Sequence, residues 1–120
     1  MENLQGAFAI ITGAAQGLGY AVAQAYVAQG MRVALMDVQA DRLHAAARQL
    51  GGDVLPLVAD LSDAQATQDA AQQALAHYGT PRILVHNAAL LIQRSRLEIT
   101  FEQWQKETNI ILQAGFILCK

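Results

Sequence analysis

The chain has 120 residues, 53% of them hydrophobic and 15% charged, with a formal net charge of −2. That is the length of one domain and the balance of a chain that folds around a core, not of a disordered segment. Scattered charge with a slight acidic excess argues against nucleic acid and anionic membrane surfaces as partners, and the single cysteine, Cys119, argues against a disulfide framework. The opening MENLQG lacks a basic region followed by an apolar stretch, and no apolar run approaches ~18 residues, so secretion and membrane spanning are not expected and a reducing cytoplasm is. No metal site is expected.

In chain order, Ala7 to Thr12 is a short apolar run that suits a strand buried on both faces. Gly17 to Gln29 is rich in Ala, Leu and Gln and predicts a helix, with Gly30 at its C-terminal end. Arg32 to Asp37 predicts a second buried strand, and Asp41 to Leu50 a short helix stopped by Gly51-Gly52. Val54 to Asp60 predicts a third strand, which Pro56 assigns to a sheet edge. Ser62 or Asp63 caps a helix running to about Tyr78, ended by Gly79 and Pro81. RILVHNA, from Arg82, gives a fourth strand running into a loop. Thr100 then caps a last helix, with Gln103 placed for a capping box. Strands alternating with helices predict an α/β fold with a parallel sheet, helices on both faces and right-handed crossovers.

The first strand-to-helix turn reads TGAAQGLG, with Gly13, Gly17 and Gly19 in seven residues. In a doubly wound sheet, ligands bind beyond the carboxyl ends of the strands, where this turn lies. Glycines there permit a tight reversal, let an anion approach the backbone and let the helix pack closely on the sheet, while the helix N-terminus offers amides to a pyrophosphate. A P-loop needs Gly-Lys-Ser/Thr, whereas Gly19 is followed by Tyr20 and Ala21, so a nucleoside triphosphatase is not expected. The glycines alone also fit a tight turn that binds nothing.

Asp37 ends the second strand 18 residues beyond Gly19, near the spacing of a carboxylate that accepts from a ribose 2′-hydroxyl. A carboxylate repels a 2′-phosphate, and Val38 and the Ala15-Gln16 pair carry no cation to accept one, so NAD is favoured over NADP. Asp60-Leu61 ends the third strand at the same sheet edge. Asp60 there can accept from an adenine amino group beside Leu61, or serve equally to cap the following helix. Asn87, followed by Ala88 and Ala89, suits a backbone lying close against a flat ligand or an amide bracing neighbouring strands.

Together, Thr12-Gly13-Ala14-Ala15-Gln16-Gly17-Leu18-Gly19, Asp37, Asp60-Leu61 and His86-Asn87-Ala88-Ala89 resemble the short-chain dehydrogenase/reductase family. Its first turn follows Thr-Gly-x-x-x-Gly-x-Gly and its strand-four motif is Asn-Asn-Ala-Gly. In the last helix, Trp104 and Asn109 fall where the family has a recurrent tryptophan and an active-site asparagine. The resemblance implies a Rossmann-like sheet of four strands in the order 3-2-1-4. It implies NAD held by Thr12, Gly13, Gln16, Gly17, Leu18, Gly19, Asp37, Val38, Asp60, Leu61, Asn87, Ala88 and Ala89. The chemistry implied is hydride transfer between nicotinamide and a small alcohol or carbonyl substrate, with Asn109 supporting a proton relay.

Four departures qualify that implication. His86 replaces the first Asn of the strand-four motif, and is read as a neutral, structural imidazole. Ala89 replaces its Gly. The family's Tyr-x-x-x-Lys is absent: Tyr20, Tyr26 and Tyr78 are followed four residues later by Gln24, Gly30 and Arg82. No serine sits where the family places its own. Residues 1–120 are therefore expected to form a single dinucleotide-binding domain lacking the family's C-terminal catalytic part, truncated and inactive by itself. The alternative is a non-catalytic dinucleotide-binding or dimerisation module. An open fourth strand and a last helix that buries Phe101, Trp104, Ile111, Leu112 and Phe116 on the sheet predict self-association as a homo-oligomer, by strand pairing or helix packing, or else poor solubility.

Overall fold

The computed structural model describes residues 5–87, 101–110 and 114–119. Strand β1 (Phe8–Thr12) leads into helix α1 (Gly17–Ala28), β2 (Arg32–Asp37) into α2 (Ala40–Leu50), β3 (Val54–Val58) into α3 (Ala64–Tyr78), and β4 (Ile83–His86) is followed by α4 (Phe101–Thr108) and α5 (Ala114–Cys119). The four strands are parallel and ordered β3-β2-β1-β4. Register aligns Thr12 with both Met36 and His86, and Asp37 with Val58, so the strands end together at one edge.

Alternation along β1 divides the core in two. Phe8 and Ile10 face one way, packing with Ala34, Met36 and Leu57 against Ala70, Ala74 and Tyr78 of α3. Ala9 and Ile11 face the other, packing with Val33 and Leu35 against Ala23 of α1 and Leu43 of α2. Each strand is thus apolar at consecutive positions because both faces are covered. The small residues Ala23, Ala70 and Ala74 let the helices approach the sheet closely.

Most boundaries fall within two residues of expectation. Asp63, rather than Ser62, caps α3, its Oδ1 accepting from the Gln65 amide at 3.0 Å. Gly30 lies one residue past the cap of α1 with φ +78°, the left-handed conformation a helix end favours in glycine. Pro56 sits in the edge strand, paired in register with Leu35.

The last helix departs from expectation. It is two segments, α4 and α5, with a π-helical turn at Asn109–Ile110 after the first. Phe101, expected to be buried on the sheet, is 71% exposed as the first residue of α4. Residue Thr100, the predicted cap, lies outside the described residues, as do Ile111 and Leu112 and the side chains of Trp104 and Phe116. Leu118 of α5 packs with the α3 face of the core.

Candidate functional site

The carboxyl ends of the strands open onto a cleft of about 450 Å³, with the β1–α1 turn on one side and α4 on the other. Gly13 and Gly17 reverse the chain there with φ of +64° and +63°, conformations that residues with a β-carbon rarely adopt. The Gly13 amide donates to the Met36 carbonyl at 2.8 Å, which fixes the turn to β2. Gly19 is needed for a different reason. A β-carbon on it would collide with the Gly13 carbonyl and stand 3.0 Å from Asn87 Nδ2. Asn87 Nδ2 itself donates to the Gly13 carbonyl at 3.4 Å, so β4, the turn and α1 meet at one point.

Helix α1 begins after Gln16 with no side chain capping its first amides and no acidic residue in its first turn. Those amides face a glycine-lined cleft, where an anion satisfies them and interacts favourably with the helix dipole. By contrast α3, away from the cleft, carries its own carboxylate cap in Asp63. The side chains of Leu18 and Val38 line the cleft while 70% and 59% exposed, apolar surface that a flat ligand would cover.

Asp37, at the end of β2, is only 9% exposed. Its Oδ2 accepts from the Ala15 amide at 3.1 Å and its Oδ1 from the Gln39 amide at 3.0 Å. Each oxygen keeps acceptor capacity, so the carboxylate both braces the glycine turn and faces the cleft. Val38, Ala15 and Gln16 carry no cation themselves, but the fold brings one to Gln16. Arg42, from α2, donates through Nη1 to Gln16 Oε1, bringing a guanidinium to the lip of the turn. Spacing along the chain concealed it, because α2 folds back beside α1.

Beyond β3, Asp60 Oδ1 accepts from the Ser62 hydroxyl at 2.6 Å and the Ser62 amide at 3.0 Å. Those bonds hold its carboxyl below the ordinary value of 3.8, outweighing slight burial, and the nearby Lys106 charge adds to them. Asp60 therefore stays ionised, organising its own turn while the α3 cap falls to Asp63. Leu61 is buried at the cleft floor.

Of the predicted residues, Gly13, Gln16, Gly17, Leu18, Asp37, Val38, Asp60, Leu61 and Asn87 line this one cleft. Thr12 does not; it is fully buried, with Oγ1 3.0 Å from His86 Nδ1. Gly19 stands behind the turn. Asn109 does not line the cleft either; it donates through Nδ2 to the Ser62 carbonyl at 3.3 Å and lines an adjoining depression that shares Asp60 and Lys106 with the cleft. This is the bond of a helical asparagine to a nearby carbonyl. Ala88 and Ala89 lie outside the described residues. Gln39, Ala59, Lys106 and Ile110 line the cleft without having been anticipated. Gln39 and Ala59 adjoin predicted positions in sequence, whereas Lys106 and Ile110 arrive through the placement of α4.

The sequence pattern of the family described as short chain dehydrogenase matches residues 7–120. D-threitol dehydrogenase of Mycolicibacterium smegmatis is 36% identical over 121 residues, covering 98% of this chain and 46% of its own length. Among solved structures, L-sorbose reductase from Gluconobacter frateurii, complexed with NADPH and L-sorbose, superposes with a TM-score of 0.91 at 29% identity, over 98% of this chain and 47% of that one. The 3-ketoacyl-(acyl-carrier-protein) reductase from Brucella melitensis, complexed with NADH, superposes with a TM-score of 0.89 at 25% identity, over 96% and 48%. The chain spans about half the length of the curated relatives it matches.

Proposed function

The chain belongs to the short-chain dehydrogenase family, and from that membership we propose that residues 1–120 form a single domain that binds a nicotinamide dinucleotide, with NAD preferred over NADP. One observation carries the reading: the uncapped first turn of α1 opens onto a glycine-lined cleft beside the buried carboxylate of Asp37. The amides following Gln16 hold the pyrophosphate, with Gly13 and Gly17 keeping side chains out of its way. Asp37 accepts from the adenosine ribose hydroxyls, Asp60 and Leu61 receive the adenine, and Asn87 to Ala89 border the far ribose. Thr12 and Gly19 support this arrangement from behind it, and Asn109 is assigned to the proton relay of the whole protein.

When bound, the dinucleotide supplies a hydride acceptor or donor for an alcohol or carbonyl carbon. The activity proposed for the whole protein is oxidoreduction of such a substrate, a reading supported by the hydroxyl-rich compounds in the names of its relatives. The 120 residues contain no Tyr-x-x-x-Lys, so the proposal for this chain is binding, not turnover. Self-association through the outer edge of β4, which pairs only with β1 among the described strands, belongs to the same reading. A reducing, cytoplasmic setting suits the lone, exposed Cys119.

Calorimetric titration with NAD and with NADP tests the reading. Binding of NAD with weaker binding of NADP is expected. Absence of binding to either refutes it, and tighter binding of NADP refutes the role given to Asp37.

A further inference from the structure

His86 stands beside Thr12 in the parallel register of β4 and β1, and its ring links two elements. Nδ1 lies 3.0 Å from Thr12 Oγ1 and Nε2 lies 2.9 Å from the carbonyl oxygen of Ile110. A carbonyl oxygen only accepts, so Nε2 carries a hydrogen. In the neutral ring Nδ1 is then an acceptor, and the Thr12 hydroxyl donates to it.

Ile110 lies in the π-helical turn after α4, a local departure from regular α-helical bonding. It is also, with Lys106 one turn earlier, what this segment contributes to the cleft. Phe101, Glu102, Gln105 and Lys106 of this segment are exposed, while Asn109 and Ile110 are partly buried. Polar links tie these last two to the rest of the fold. Asn109 reaches the Ser62 carbonyl, and His86 reaches Ile110.

We propose that His86 is a positioning residue for dinucleotide binding, its Nε2–H bond to the Ile110 carbonyl setting the α4 wall of the cleft while its bond to Thr12 orients the ring. The inference rests on the dinucleotide-binding reading. It goes further by assigning one half of the imidazole to the ligand site and the other half to the sheet.

Two substitutions separate the halves. A glutamine amide reaches about as far as Nε2, and an asparagine amide about as far as Nδ1. His86→Gln keeps the Ile110 bond and is expected to bind NAD within about twofold of the unaltered chain. His86→Asn keeps the Thr12 bond, releases Ile110 and is expected to bind NAD about three- to tenfold more weakly, the range set by one lost hydrogen bond. Thermal midpoints are measured alongside, because a purely structural His86 would lower affinity only in step with stability. Equal affinities in the two variants, or equal losses that follow their midpoints, would overturn the proposal.

A measurement on the unaltered chain stands if either variant fails to fold. The ¹⁵N spectrum of the imidazole is expected to show the Nε2–H tautomer, and an Nδ1–H tautomer overturns the proposal. If the unaltered chain binds neither NAD nor NADP, the dinucleotide reading itself fails. If it binds while the variants behave alike, only the role of His86 fails.

Discussion

Gly19 lays its bare α-carbon against the carbonyl oxygen of Gly13, six residues back along the turn, at a separation that leaves no room for a β-carbon. Gly17, two residues earlier, has open space around it and is constrained only by its positive φ. The two glycines are therefore required for different reasons, crowding at one and backbone conformation at the other.

Their substitutions should differ accordingly. Gly19→Ala forces the turn away from α1 and is expected to cost about 2–3 kcal/mol, in the upper range for overpacking. Gly17→Ala meets no neighbour, and the strain of a left-handed alanine costs about 1 kcal/mol. Urea denaturation of both variants checks the order, and an equal or smaller loss at position 19 contradicts the close approach.

Asp37 carries two tasks that one substitution exposes together. Asp37→Ala leaves the Ala15 amide without its buried acceptor, which is expected to cost about 1–3 kcal/mol of stability. The same change removes the charge that opposes a 2′-phosphate, so the ratio of NAD to NADP affinity should fall. Denaturation curves and paired titrations read the two effects separately. Unchanged selectivity would confine Asp37 to the turn.

Arg42 sets a cation against Gln16, which lines the cleft along with Asp37, so on the dinucleotide reading its charge favours a 2′-phosphate that Asp37 disfavours. Arg42→Met is expected to weaken NADP binding up to about fivefold, in keeping with an exposed ion pair of up to about 1 kcal/mol. NAD affinity should change less. Titration with both dinucleotides at low and at high salt checks this, because the NADP effect should shrink with screening.

Tyr78 supplies an alkaline signature. Its hydroxyl donates to Asp53 Oδ1 at 2.5 Å, and its ring packs on Phe8 with centroids 4.8 Å apart. Burial, followed by the bond to the Asp53 carboxylate and that charge itself, pushes the phenol above its ordinary 10.0, while Arg32 pulls weakly the other way. The unfolded chain therefore releases this proton before the folded chain does. The contribution is complete below about pH 10 and is lost as pH rises through the higher folded value. Tyr78→Phe is expected to cost about 1.5 kcal/mol near neutrality, the low end for a bond to a charged group. It should also flatten the fall in thermal midpoint above pH 10.

The sheet was legible because its strands advertise themselves. Both faces of β1 and β2 are covered, so Phe8 to Thr12 and Arg32 to Asp37 read as unbroken apolar runs. Pro56 marks its own edge. The glycine turn and Asp37 were legible for the same local reason, since spacing along one βαβ unit sets their distance in space. What escaped depends on contacts between remote segments. Arg42 reaches Gln16 only because α2 lies beside α1, and Lys106 and Ile110 enter the cleft only because α4 crosses it. Asn109 likewise meets the Ser62 carbonyl across 47 positions of chain, a contact no local spacing announces. Helical periodicity from Phe101 onward gave no sign of the π-helical turn, because its partners lie on β4 and after β3.

Pro56 has a consequence for how this sheet grows. The Asp53 carbonyl and the Ala59 amide both engage β2, so alternation turns the backbone of Pro56 outward, away from it. The outer margin of β3 thus lacks a donor at its centre, and an extended peptide laid along it would meet a gap in its hydrogen bonding. The β4 margin holds no proline. Recruitment of another strand, from this polypeptide or from a neighbour, is therefore directional, with the β3 side sealed and the β4 side receptive.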